Sequence, residues 1–272
     1  MRTVLLLMTL TFLASHIPAA YTVELEKTNQ GRWQMENSLV RIEVDPARGG
    51  RISQFQDKQF KHPLIREPQT QGLFVDHLAQ QRWPGELWER TYATKVVKRS
   101  GNEVALQLST TIEGEYRDEA QPQAKDLQLV KTYRLADNEC GVRVEHRIHN
   151  PTAKRKQLTL WVQNIQKVGP DPTENMVIRP SAKGVDRFKM PKQPRGENWT
   201  RYKDSINAWL GVHDLTTHQT IVYFQEWDYL DAHYCAGKAF TLEWFMMPVA
   251  IPPGESWSTT SRMISRNVPS DI

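Results

Sequence analysis

The sequence predicts an all-β protein, a large antiparallel β-sandwich. Three observations carry this reading. Segments of alternating apolar and polar residues recur along the chain, each closed by a turn-forming cluster. Turn signals return roughly every 8–15 residues, as in a sandwich or barrel. No segment sustains a helical period, and about a dozen strands can be counted.

In chain order, the first strand is 38–44, where Val40, Ile42 and Val44 alternate with Arg41 and Glu43. The run Asp45-Pro46-Ala47-Arg48-Gly49-Gly50 turns the chain and 51–55 returns it. Segments 93–98 and 103–112 flank Ser100-Gly101-Asn102 and read as a β-hairpin. Segments 127–135 and 141–149 alternate clearly, and the second stops at Asn150-Pro151. The remaining strands are 157–162, 208–213, 219–224, 239–246 and 257–264. Segments 71–90 and 169–202 break the rhythm and read as long loops, which in a compact domain carry function or mobility. No linker or internal repeat divides 21–272, so one domain is expected there.

Residues 1–20 carry the secretory pattern. Arg2 supplies the positive start, 4–14 the apolar run, and Ala19-Ala20 the small residues near a cleavage point. The run is too short to span a bilayer comfortably. The mature protein is therefore expected to be soluble, without stable membrane insertion, and secreted or periplasmic. Cys140 and Cys235 leave one disulfide open in such a compartment. A charged fraction of 24% and nine tryptophans exclude global disorder. The net charge of +4 is modest and dispersed, and no nucleic-acid-binding motif accompanies it.

The sequence holds no GxSxG elbow, P-loop, dinucleotide fingerprint, HExxH, CxxC or EF-hand loop. No cofactor and no metal site are expected. His146 and His149, three apart on one strand, face opposite sides and cannot hold a metal together. Two places draw attention instead. Glu243 lies in Phe240-Thr241-Leu242-Glu243-Trp244, a carboxylate in an apolar and aromatic strand. Parity sets it beside Thr241 and Phe245, opposite Leu242 and Trp244. Buried there, it is costly unless paired, and a polar ligand is one such partner. The other place is the 71–90 loop, with Asp76-His77, Arg82, Trp83 and Trp88. As a surface loop it needs no ligand. As a sugar site it offers His77 as acid or donor, Arg82 for ring hydroxyls, and tryptophans for the apolar sugar face. Asp76 can orient His77 only if the fold turns it inward. Trp227, between Glu226 and Asp228, is a further aromatic candidate for such a platform.

The order of segments resembles the galactose mutarotase-like (aldose 1-epimerase-like) β-supersandwich, of which this chain looks like a divergent member. Asn37–Val44 with Gly49-Gly50-Arg51-Ile52 is similar to its first hairpin. His77 with Arg82 and Trp88 resembles its His-containing loop, and 133–150 its central strands ending in an Asn turn. Leu242-Glu243-Trp244 followed by Pro253-Gly254-Glu255-Ser256 resembles its closing strands. The resemblance implies that Glu243 takes a proton from an anomeric hydroxyl while a histidine protonates the ring oxygen. It implies a deep pocket in which Glu243 and His77 face each other across a sugar-sized gap. It also implies a second His on the strand after the Asn turn, where this chain has Leu160-Trp161-Val162-Gln163-Asn164-Ile165. His77 must then substitute as the acid, or the reaction differs. The expected partner is a sugar or polysaccharide. The function classes are an aldose epimerase, a noncatalytic glycan-binding protein, or a lyase on acidic glycans with Asn164 and Arg82 at the uronate.

Overall fold

The computed structural model describes residues 22–79, 81, 83–100, 102–116, 119–181, 184–190, 199–201, 208–237 and 240–268. The expected leader and Arg82 lie outside them.

The chain opens with β1 (Glu24–Lys27), β2 (Trp33–Glu36), β3 (Val40–Asp45), β4 (Arg51–Asp57) and β5 (Gly72–Leu78). The hairpin β6 (Ala93–Ser100) and β7 (Glu103–Thr111) follows, then the short pair β8 (Glu115–Tyr116) and β9 (Glu119–Ala120). Next come β10 (Gln128–Ala136), β11 (Gly141–His149), β12 (Lys156–Leu158) and β13 (Leu160–Ile165). The middle of the chain forms β14 (Asn175–Ser181), β15 (Gly184–Lys189) and β16 (Trp199–Arg201). The end forms β17 (Trp209–Asp214), β18 (Gln219–Gln225), β19 (Leu230–Ala236), β20 (Thr241–Met246), β21 (Val249–Ile251) and β22 (Ser256–Asn267).

Two nine-stranded antiparallel sheets result. The first runs β1-β2-β3-β4-β5-β13-β20-β19-β16 and the second β15-β14-β17-β18-β22-β11-β10-β7-β6. This is the all-β sandwich that the alternation predicts. Its inner faces meet through one continuous apolar core. Phe74 of the first sheet packs edge-on against Tyr133 and Tyr223 of the second. The strand β22 shows why alternation works as a signal: Trp257, Thr259, Ser261, Met263 and Ser265 are buried while the residues between them are not. The Asn150-Pro151 stop and the Pro253-Gly254 segment also meet. Asn150 N donates to Glu255 O, and Gly254 N returns a bond to Asn150 O.

Two expectations need correction. Within segment 71–90, Gly72–Leu78 is a strand, β5, and every residue of it is buried. The core covers one face and the β5–β6 connection covers the other, so the polar alternation of a half-exposed strand is missing. Segment 169–202 likewise holds the hairpin β14–β15 and the strand β16. The two cysteines are not bonded to each other: Cys140 lies before β11, and Cys235 within β19 of the other sheet.

Candidate functional site

Because β5 is a strand, Asp76 and His77 point to opposite faces. Asp76 enters the sandwich interior. Its carboxylate lies 2.5 Å from Lys131 Nζ and 2.9 Å from His146 Nε2. Burial alone raises the Asp76 pKa, but Lys131 and His146 overcome that and hold it below the usual range. Asp76 therefore does not orient His77.

His77 faces outward into the layer covering the first sheet. Its neighbours follow from register. His77 pairs with Trp161 of β13, and Trp161 with Phe245 of β20. The rings stack across the strands: His77 on Trp161 at 4.3 Å and Trp161 on Phe245 at 5.1 Å. Trp88 covers the imidazole from the loop side at 5.8 Å, and the Arg51 guanidinium lies 4.5 Å over the Trp88 ring. Burial lowers the Arg51 pKa to about 10. Pro84 O lies 2.6 Å from His77 Nδ1. A carbonyl only accepts, so Nδ1 carries the proton and Nε2 presents a lone pair. Nε2 has no hydrogen-bond partner among the described residues, although Gln163 is close enough to act on the ring. Burial lowers the His77 pKa to about 4.

The next row of the same face is Val75, Gln163, Glu243 and Tyr234. Glu243 is 3% exposed on an interior strand of the sheet, beside Thr241 and Phe245 as parity requires. Its Oε1 accepts from Gln163 Nε2 at 2.9 Å and from Thr241 Oγ1 at 2.7 Å. No lysine or arginine pairs with it among the described residues. Burial raises its pKa, and hydrogen bonding from Gln163, Thr241 and Trp161 offsets part of that. Gln163 Oε1 in turn accepts from Trp83 Nε1 at 3.0 Å.

Glu243 and His77 thus share a face but do not confront each other across a gap. The strand β13 runs between them and they stand one row apart, so their backbones lie about 12 Å apart by sheet geometry. Trp161 and Gln163 fill the interval. Trp83 and Trp88 lie on this face, Trp83 bonded to Gln163 and Trp88 stacked on His77. Asn164 does not. It sits at the bulge in β13, fully buried. Its Oδ1 accepts from Phe74 N at 2.9 Å and its Nδ2 donates to Leu242 O at 3.0 Å. Both ends of the amide hold backbone, including that of Phe74 at φ 55°, and neither is offered to a ligand. Trp227 opens a short 3₁₀ turn, Trp227–Tyr229, and its side chain lies outside the described residues. Among the described residues no three His, Cys, Asp or Glu side chains converge as a metal site.

No protein-family model matches the chain, and no curated protein matches it in sequence. Solved structures do match in shape. A galactose mutarotase-like protein from Clostridium acetobutylicum superposes with a TM-score of 0.62 at 10% identity, covering 92% of this chain and 99% of that one. The fold is the galactose mutarotase-like supersandwich. A second galactose mutarotase-like protein, from Lactobacillus casei, matches with a TM-score of 0.56 at 14% identity, over 87% of this chain and 100% of that one. A TPR-domain containing protein from Parabacteroides distasonis matches with a TM-score of 0.64 at 12% identity, over 89% of this chain. The chain spans 48% of that protein's length.

Within this mutarotase-like fold, sequence reasoning missed Trp161, Gln163, Thr241 and Phe245 as a unit. Gln163 was conspicuous only as the residue standing where a second His was expected. Its pairing with Glu243 follows from a strand register that the sequence does not print.

Proposed function

We propose that this chain is an exported carbohydrate-binding protein whose sugar sits on the outer face of the first sheet. The observation that carries the reading is Glu243, a buried carboxyl with no cation paired to it among the described residues, beside the half-buried Trp161–Phe245 stack. A sugar matches both halves of that surface. Its C–H face suits stacked rings, and its hydroxyls suit the polar Gln163–Glu243 pair beside them. The names of the matching mutarotase-like structures are in keeping with a sugar ligand, and the leader pattern at 1–20 supports export.

Aldose epimerisation is the second reading. The raised pKa of Glu243 favours it, because a base works best with its pKa near the operating pH. The weak point is the acid. A histidine with its pKa at about 4 is neutral near pH 7 and accepts a hydrogen bond rather than delivering a proton. Binding therefore ranks above catalysis. A lyase has less support, since the Asn164 amide is committed to backbone.

The test is NMR of a panel of aldoses, uronic acids and oligosaccharides with the wild-type protein and Glu243→Gln. Saturable line broadening without faster anomer exchange supports binding. Faster exchange that vanishes in Glu243→Gln moves the assignment to epimerisation. Neither effect with any member of the panel ends the sugar reading.

A further inference from the structure

We propose that Trp83 is the specificity-determining residue of this site, its indole N–H holding on Gln163 the place that a ligand hydroxyl takes. The inference rests on the sugar reading and goes beyond it by naming what a ligand must offer.

Trp83 is 50% exposed, while Trp88 at 6% and His77 at 1% lie buried near it. A half-exposed indole is held by little. Its ring meets Trp88 only edge-on, at 5.4 Å and 63°. Its N–H has one partner among the described residues, Gln163 Oε1 at 3.0 Å. The other end of that amide donates to Glu243 Oε1. Hydrogen bonds therefore lead from an exposed indole to a buried amide and on to a buried carboxyl.

Trp83 leaves this acceptor set incompletely satisfied. It supplies one donor to Gln163 Oε1, and the neighbouring His77 Nε2 receives none from the described residues. A ligand with two adjacent hydroxyls can donate to both. It replaces the indole bond in kind and adds one the indole does not make. A ligand with a single donor only exchanges one bond for another. An apolar ligand leaves the Gln163 oxygen unpaired as it becomes buried, which is unfavourable. The class selected is a neutral vicinal diol with an adjacent C–H face, as a pyranose presents. Gln163 stays aimed at Glu243 throughout, because its carbonyl is never without a donor.

The experiment compares wild-type protein with Trp83→Phe, both carrying 5-fluorotryptophan, titrated with neutral pyranoses and their monodeoxy analogues. The Trp83 ¹⁹F signal is identified by its absence in the variant. Phenylalanine keeps an aromatic edge against Trp88 and removes the competing donor. The expected result is about two- to tenfold tighter binding to Trp83→Phe, the worth of one hydrogen bond. The Trp83 signal should move toward a solvent-exposed position as sugar is added to wild type. Loss of one hydroxyl of the pair should weaken binding by a similar factor. If sugars bind but Trp83→Phe binds equally or more weakly, Trp83 is part of the platform and the proposal is overturned while the sugar reading stands. If no sugar binds either protein, both fall.

Discussion

Asp76 and His77 are neighbours on β5, and both are essentially buried, at 0% and 1% exposure. The similarity ends there. Asp76 meets Lys131, His146 and, at 3.5 Å, the Tyr92 hydroxyl. Lys131 Nζ donates also to Phe74 O, so the interior cluster ties two sheets together. His77 meets flat rings, one carbonyl, and a lone pair with nothing donated to it by the described residues. Glu243, on the same face as His77, has hydrogen bonds but no counter-ion among the described residues. One face of the sheet holds charges that compensate each other. The other holds polar groups whose pKa values burial displaces toward neutrality. Buried polarity that is paired is explained by the fold. Buried polarity left incomplete points to something that completes it.

The largest expected effect tests the paired side. Lys131→Met strands the Asp76 carboxylate in the interior and should cost about 3–5 kcal/mol in urea unfolding near neutral pH. A loss below about 1 kcal/mol would mean that His146 and Tyr92 suffice and that the ion pair does not organise the interior.

The next concerns pH on the unpaired side. The native pKa of His77 is held down to about 4 from 6.5, and that of the interior His233 to about 3. Between the native and unfolded values the unfolded rings take up protons that the native rings do not. Stability is therefore full above about pH 6.5 and declines as pH falls toward 4. The His77 share is up to roughly 3 kcal/mol. His77→Phe keeps a ring against Trp161, and its unfolding free energy should fall less steeply over this window. Parallel slopes for the two proteins would show that His77 already protonates in the native state.

Glu243→Gln should act in the opposite direction to Lys131→Met. It removes a carboxyl that burial disfavours ionising and keeps an oxygen for Thr241 and Gln163. Thermal unfolding near neutral pH should show a gain of roughly 0.5–2 kcal/mol, as at sites where function strains stability. A clear loss would reassign Glu243 to the structural class of Asp76. The smallest effect is a control. With Cys140, before β11, and Cys235, in the other sheet, not joined by a disulfide, added reductant should leave the unfolding midpoint unchanged.

Much of the fold was legible because it depends on local alternation. The hairpin β6–β7 and the strands β10, β11, β18 and β22 lie close to where the pattern set them, and the Asn150 and Pro253-Gly254 turns meet. The strand β5 was not legible as a strand, since burial on both faces erased the contrast that alternation needs. With it went the reading of Asp76 beside His77. A loop would have let the two side chains cooperate, whereas a strand forces them apart. Glu243 was legible by parity, a property of its own strand. Gln163 and Trp161 were not, because their importance lies in what stands opposite them in β5 and β20.

By itself the sequence determined which residues alternate, where the chain turns, and that a carboxyl is set in an aromatic strand. These follow from neighbours a few positions away. Only the tertiary structure decided that Asp76 is neutralised in the core, that Asn164 braces backbone, and that Gln163 links Trp83 to Glu243. Each depends on register between strands as many as 90 residues apart, as in the Phe74–Asn164 bond. A one-residue slip in that register would turn every one of these side chains to the other face.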